Sequence, residues 1–311
     1  MRDHRDRPAM SHASPPPIPS LTGDAERRVL VPLALLCVYV IWGSTYYAIR
    51  VALDGFPPFL LGAVRFTLAG VVLYGWLRWR GMASPSRLQW RNAAITGTLL
   101  LGIGNGLVCY AEQHVASGLA AVAVAGMPLF AALFAGMYGN WPKRLEWLGL
   151  AIGLVGVVVL NTGGAMSGSL AGATALVVAS ISWAFGSVWS SRQDMPPAAM
   201  NTAAQMLVAG AVLTTVGLLG GERIVAMPEA NAIWAMIYLA VMGSLVAFTA
   251  YVYLLKNVRA PVASSYAYVN PPVAVMIGVV IGGEVIHTLD VVSMTIILFG
   301  VGLITLGRQR R

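Results

Sequence analysis

Apolar residues fall into ten long stretches, and polar loops only a few residues long separate most of them. A helix needs about 20 residues, within a range of about 17–25, to cross the hydrocarbon core of a bilayer, and each stretch is of that order. The pattern therefore predicts an all-α polytopic membrane protein with ten transmembrane helices. The predicted spans are 29–49, 57–77, 93–111, 115–138, 145–161, 168–190, 196–219, 231–255, 261–283 and 289–307.

The second half of the chain repeats landmarks of the first half about 140 residues later. Five spans per copy is an odd number, so the second copy must lie inverted in the membrane, an arrangement typical of transporters. We assign residues 29–161 to the first repeat and 168–307 to the second. The matched landmarks are Trp42 and Trp183, Arg50 and Arg192, Pro57-Pro58 and Pro196-Pro197, Arg65 and Gln205, Pro128 and Pro272, and Glu146 and Asp290.

Charge supports a membrane location and gives the orientation. Only 10% of residues are charged, against about 25% in soluble domains. All of the 20 Lys and Arg except Arg50, Arg65 and Arg223 lie on one side of the predicted topology. This positive-inside pattern predicts that both termini are cytoplasmic, and it accounts for the net charge of +8 without nucleic-acid binding. Residues 1–28, rich in Pro and charge, are expected to form a disordered cytoplasmic tail.

Arg65 is the most unusual polar residue, because it lies inside an otherwise apolar span. A central Arg costs roughly 2.5–3.5 kcal/mol on insertion scales, so it needs a partner or a wet cavity. One interpretation is contact with an anionic substrate group or a gating pair. The other is a structural tie to backbone carbonyls, or snorkelling of the side chain to the headgroups.

Several spans carry polar and aromatic residues on one helical face, as a central cavity between the halves would require. Asn105 and Glu112 share a face of the third span, and Trp42 and Tyr46 are four residues apart. Interfacial anchoring of Trp and Tyr, or a carboxylate at headgroup level for Glu112, are the alternatives. The predicted substrate-binding set is Trp42, Ser44, Tyr46, Arg65, Asn105, Tyr110, Glu112, Trp183, Ser187, Tyr266, Tyr268 and Asn270.

Prolines lie near the middle of the fourth and ninth spans, at Pro128 and at Pro271-Pro272. A Pro inside a helix removes a backbone hydrogen bond and kinks it. Interrupted spans at matching positions of two halves point to a transporter binding site. We therefore predict hinges at these prolines, with a kink that only shapes packing as the alternative.

Several motifs give the chain a resemblance to the EamA family of the drug/metabolite transporter superfamily, over about residues 30–308. The resemblance implies ten helices in two inverted five-helix repeats, with a cavity lined mainly by helices 1, 3, 4, 6, 8 and 9. It also implies export of amino acids, metabolites or drugs. The motifs are Ile41–Tyr46, Pro57-Pro58 with Arg65-Phe66, Leu145–Gly149, Ser182–Ser187 and Ser265–Pro271.

The predicted function is a secondary transporter of the inner membrane that exports small metabolites, amino-acid-like compounds or drugs by alternating access. The alternative is a non-transporting sensor or scaffold that signals through its N-terminal tail. No enzyme, cofactor or metal site is expected, because His4 and His12 lie in the tail and His114 and His287 at span ends. The expected partners are a small molecule and the lipid bilayer, and the sequence leaves open whether the chain forms a homodimer.

Overall fold

The computed structural model describes residues 21–139, 141, 143–162, 169–257 and 266–309. Some side chains within these ranges, those of Pro128 and Tyr268 included, lie outside the described part, as does nearly all of the predicted junction between the halves. The described residues are helical and contain no strand. The fold is therefore that of an all-helical membrane protein.

A described helix lies in each of the ten predicted spans, although several are divided. In the first half they are α1 Leu21–Cys37, π1 Val38–Trp42, α2 Gly43–Ala52, α3 Pro58–Trp79, α4 Arg87–Gly97, π2 Thr98–Asn105, α5 Gly106–Ala111, α6 Ser117–Val124, α7 Met127–Met137 and α8 Arg144–Thr162. In the second half they are α9 Leu170–Ser190, α10 Ala198–Leu219, α11 Ala230–Tyr238, π3 Leu239–Val246, α12 Ala247–Asn257, α13 Tyr266–Val280 and α14 Thr288–Gln309.

Among the described residues, six helical segments are long and apolar enough to cross a bilayer by length and composition. These are Arg28–Ala52, Pro58–Trp79, Arg87–Ala111, Leu170–Ser190, Ala198–Leu219 and Ala230–Tyr251. The first of them continues a helix that begins at Leu21. The last eight residues assigned to the tail are therefore helical, whereas residues 1–20 lie outside the described part.

Three segments follow a π-helical path within longer helices. The second and third, π2 and π3, have eight residues each and begin 141 positions apart, so the two halves carry this feature at the same place. π-helical turns are rare and frequently lie at functional sites. Gly102 and Gly243 occupy the same position within the two segments.

The prolines behave differently in the two halves. The fourth span is broken, because α6 ends at Val124 and α7 begins at Met127, which places Pro128 in the first turn of a new helix. Pro is well accommodated there, since the first helical N–H groups have no intrahelical partner. The expected position of Pro128 in the middle of one helix is thus wrong. Pro271 and Pro272 do lie inside a helix, α13.

Matching helices of the two halves pack on each other. Helix α3 lies against α10, and α8 lies against α14. Glycines permit the close approach: a Cβ on Gly300 would lie 2.6 Å from the Gly153 nitrogen and 2.7 Å from the Gly149 oxygen. Such small-residue contacts are the usual way in which helices associate in lipid.

Candidate substrate cavity

A cavity of about 120 Å³ lies between the two halves of the chain. It receives side chains from the first helix of each half, from α3, from both sides of the broken fourth span, and from π2, α12 and α13. Most of the lining is apolar. Of the predicted binding residues it contains Trp42, Tyr46, Arg65, Asn105, Trp183, Tyr266 and Asn270.

Arg65 is buried within the bundle, with 4% of its surface exposed, so the side chain does not snorkel to the headgroups. Its Nε donates a hydrogen bond of 3.0 Å to Ser244 Oγ, and the guanidinium carbon lies 4.9 Å from the centroid of the Phe66 ring. Ser244 Oγ in turn donates to the Leu239 carbonyl in π3. Arg65 is therefore held by the opposite half of the chain while it faces the cavity.

Three polar atoms of cavity-lining side chains have no hydrogen-bond partner among the described residues. They are Arg65 Nη1, Ser180 Oγ and Asn270 Oδ1, and each side chain is more than nine-tenths buried. Buried polar groups are normally paired, because an unpaired one carries its full desolvation cost. A cationic donor, a hydroxyl and an amide acceptor thus lie unpaired among the side chains that line the cavity.

Aromatic rings form a cluster around Trp42 at one side of the cavity. Their centroids lie 4.8 Å (Tyr266), 5.2 Å (Tyr251) and 5.3 Å (Phe248) from that of Trp42. The indole nitrogen of Trp42 donates to the Gly243 carbonyl at 3.0 Å, which fixes the ring against π3. Such a cluster can stack on a flat apolar group or hold a cation.

The other predicted binding residues lie elsewhere. Ser44 shares a 2.6 Å hydrogen bond with the Tyr238 hydroxyl, and Ser187 accepts one from Ser190 Oγ through its carbonyl. Tyr110 lines a second, outer pocket with Gln113 and Glu222, and Glu112 is fully buried and is not among the residues that line the cavity. The Tyr268 side chain lies outside the described part.

Sequence reasoning missed Ser180 and Thr45, which also line the cavity. Ser180 precedes Trp183 by three residues, so helical spacing could have placed it on the same face. Phe248 lies in the predicted eighth span, but its spacing in the sequence did not predict the contact of its ring with Trp42.

One end of the bundle is fastened by two loop carboxylates, and we call it the Glu222–Glu284 end. Glu222 accepts hydrogen bonds from the Phe59 and Leu60 nitrogens at 3.2 and 2.9 Å. Glu284 accepts from the Ser117 and Gly118 nitrogens at 2.9 and 3.3 Å. Each acid thus joins a loop of the second half to a helix N-terminus of the first, where negative charge is favoured.

The chain is similar over nearly its whole length to proteins that are named as transporters or exporters. It is 46% identical over 284 residues to the uncharacterized inner membrane transporter YedA of Escherichia coli (strain K12), covering 90% of this chain and 93% of that protein. It is 26% identical over 283 residues to a probable terminal-alkyne amino-acid exporter of Streptantibioticus cattleyicolor, covering 89% and 95%.

A protein of known crystal structure has the same fold, with a TM-score of 0.64 at 21% identity, over 90% of this chain and 99% of that chain. The sequence pattern of the EamA-like transporter family matches residues 30–162 and, a second time, residues 170–306. The chain therefore belongs to the EamA-like transporter family.

Proposed function

We propose that the protein is a secondary transporter that exports small amphipathic, amino-acid-like compounds across the inner membrane. The observation that carries this proposal is the cavity beside the Trp42 cluster, which is lined by Arg65, Ser180 and Asn270, three side chains that each carry an unpartnered polar atom. Arg65 matches a carboxylate, and Asn270 Oδ1 matches an ammonium or amide donor. The aromatic cluster matches an apolar or flat group.

In this proposal ten helices span the membrane as two inverted five-helix halves. The double family match and the paired π-helical segments π2 and π3 support the duplication. Loops at the Glu222–Glu284 end carry few cations, which supports, by the positive-inside rule, an orientation with that end on the exterior side of the membrane and both termini in the cytoplasm.

Transport would proceed by alternating access. The Glu222 and Glu284 contacts close the exterior end in the present conformation, and export requires that they break. The interruption between Val124 and Met127 and the prolines Pro271 and Pro272 supply points at which helices α6–α7 and α13 can bend.

The amino-acid-like class is favoured over others by charge and by relatives. A phosphorylated sugar would require several cations facing the cavity, whereas Arg65 is the only cation in its described lining. The exporter of Streptantibioticus cattleyicolor, similar over most of both chains, is named for an amino acid. Other metabolites and drugs with the same pattern of groups fit the site as well.

Metabolite profiling tests the proposal. Cells that overproduce the protein should lose specific amphipathic compounds to the medium, relative to a deletion strain, and purified protein in vesicles should exchange the same compounds. If no compound moves in either assay across a broad panel, the export proposal is wrong. Deleting residues 2–20 should leave efflux unchanged, whereas a sensor that signals through its tail would lose its output.

A further inference from the structure

Glu112 is a fully buried carboxyl that the proposed binding chemistry does not use. It lies immediately after α5 and has no exposed surface. Neither carboxyl oxygen has a hydrogen-bond partner among the described residues. Arg50 comes close, but its Nη1 donates to the Glu112 backbone carbonyl rather than to the carboxylate. A buried carboxylate without hydrogen bonds is costly, and the cost falls when it takes up a proton.

The surroundings of Glu112 contain charges of both signs. Arg50 on α2 and Arg65 on α3 attract a negative charge at this place, whereas Glu284, in the loop before α14, repels it. Glu112 in turn acts electrostatically on Tyr46 and on Cys109, which are both uncharged when protonated. Glu284 is therefore the one negative group among them, and it is also the residue that fastens the loop to Ser117 and Gly118.

We propose that Glu112 is a proton-binding site that controls the Glu284 contact at the exterior end of the bundle. Uptake of one proton by the Glu112 carboxylate removes its repulsion of Glu284. Glu284 then keeps its hydrogen bonds from the Ser117 and Gly118 nitrogens, and the exterior end of the bundle remains closed. Loss of that proton restores the like-charge repulsion and weakens the contact. Acidification therefore closes this end, and alkalinisation opens it.

The direction of this response separates Glu112 from Glu284 itself. Loss of the charge on Glu284 would weaken its hydrogen bonds to the two backbone nitrogens and would therefore open the end. The proposed response has the opposite sign. The role of this response in transport rests on the proposed function, because a proton taken up from the exterior would then favour return to the closed state. The test of the response itself needs no substrate.

The test is a distance measurement on the full chain in lipid nanodiscs. Spin labels on Gln113→Cys and Val285→Cys, both exposed and on either side of the Glu284 contact, report the separation, after Cys37 and Cys109 are replaced by alanine. The fraction with the longer distance should rise severalfold as the pH rises. Glu112→Gln, which mimics the protonated group, should keep the short distance at alkaline pH. Glu222→Gln, which alters the other exterior contact, should retain the pH response.

A second measurement keeps the proposal testable if Glu112→Gln does not fold. The infrared C=O band of a protonated carboxylic acid should persist at neutral pH in the wild type and in Glu229→Gln, a control at an exposed residue. The band should be absent in any variant of Glu112 (Asn, Gln or Ala) that inserts into the membrane. A pH-independent distance, or a response retained in Glu112→Gln, would overturn the proposal. A silent transport panel with a pH-dependent distance would instead refute the proposed function alone.

Discussion

Arg65 and Ser244 are joined by a 3.0 Å hydrogen bond between Nε and Oγ, which links α3 of the first half to π3 of the second. The bond is buried, and the π-helical turn presents Ser244 while its hydroxyl also bonds Leu239. Because Nε of Arg65 is hydrogen-bonded while Nη1 has no partner among the described residues, the guanidinium is held in one orientation. This relationship explains how a cation can stand in an apolar span and still be available to a ligand.

Ser244 is therefore expected to act as a positioning residue for Arg65. Ser244→Ala should raise the half-saturation concentration for exchange of labelled L-phenylalanine by about threefold to tenfold, because a hydrogen bond to a charged group contributes about 1.5–3 kcal/mol and solvent can replace part of it. The maximal rate should change little. Ser244→Thr keeps the hydroxyl and should restore the wild-type value. Equal loss in both variants would indicate a packing role only.

Trp42 should contribute to the preference for substrates with an apolar face. Trp42→Ala removes the centre of the ring cluster, and aromatic pairs are worth about 0.5–1.5 kcal/mol beyond buried area. The ratio of phenylalanine exchange to alanine exchange should fall by about twofold to tenfold. Trp42→Phe keeps a ring but loses the bond to Gly243, and it should retain most of the preference. An unchanged ratio of phenylalanine to alanine exchange in Trp42→Ala would show that the aromatic cluster does not contribute to substrate preference.

Glu222 should hold the exterior end closed through its bonds to Phe59 and Leu60. Glu222→Gln loses the charge and one acceptor, so an impermeant thiol reagent added outside should label Ile49→Cys in the cavity faster, by up to about tenfold. The background has Cys37 and Cys109 replaced by alanine. In Glu229→Gln, a control substitution of an exposed loop residue, Ile49→Cys should be labelled at the same rate as without the substitution. No difference between the two variants would contradict the assignment.

Gly300 should be required for the packing of α14 against α8. Its added Cβ would meet the backbone of Gly153 and Gly149, and such overpacking costs typically about 1–3 kcal/mol. Gly300→Ala should therefore lower the thermal unfolding temperature in detergent. Gly302→Ala, on the same helix with nothing within 4 Å of its Cβ, should leave it unchanged or raise it, because Ala favours helix. Equal melting of both variants would argue against close packing here.

The sequence predicted the features that depend on local pattern. Hydropathy located most of the described helices to within a few residues. The recurrence of Trp42 as Trp183 and of Arg65 as Gln205 predicted a duplicated chain, and the family matches each half of the chain once. Helical spacing also placed Trp42, Tyr46 and Asn105 where the structure has them at the cavity.

The features that it did not predict depend on contacts between distant residues or on backbone geometry. Nothing in the composition of π2 and π3 distinguishes a π-helical path from an α-helical one. The break after Val124 replaced the expected kink because Ala125 and Gly126 form a turn before Pro128. The partners of Glu222 and Glu284 lie more than 160 residues away, so only the folded chain brings them together.

Exchange of labelled L-phenylalanine in vesicles containing Arg65→Ala or Asn270→Ala tests the central claim most directly, because both side chains line the cavity and each carries an unpartnered polar atom. Arg223→Ala, in the outer pocket, is the control. The account predicts that Arg65→Ala and Asn270→Ala insert normally and each lose exchange by about tenfold or more, while Arg223→Ala exchanges like the wild type. Wild-type exchange in both cavity variants, in the same vesicles, would contradict the assignment of this cavity as the substrate site.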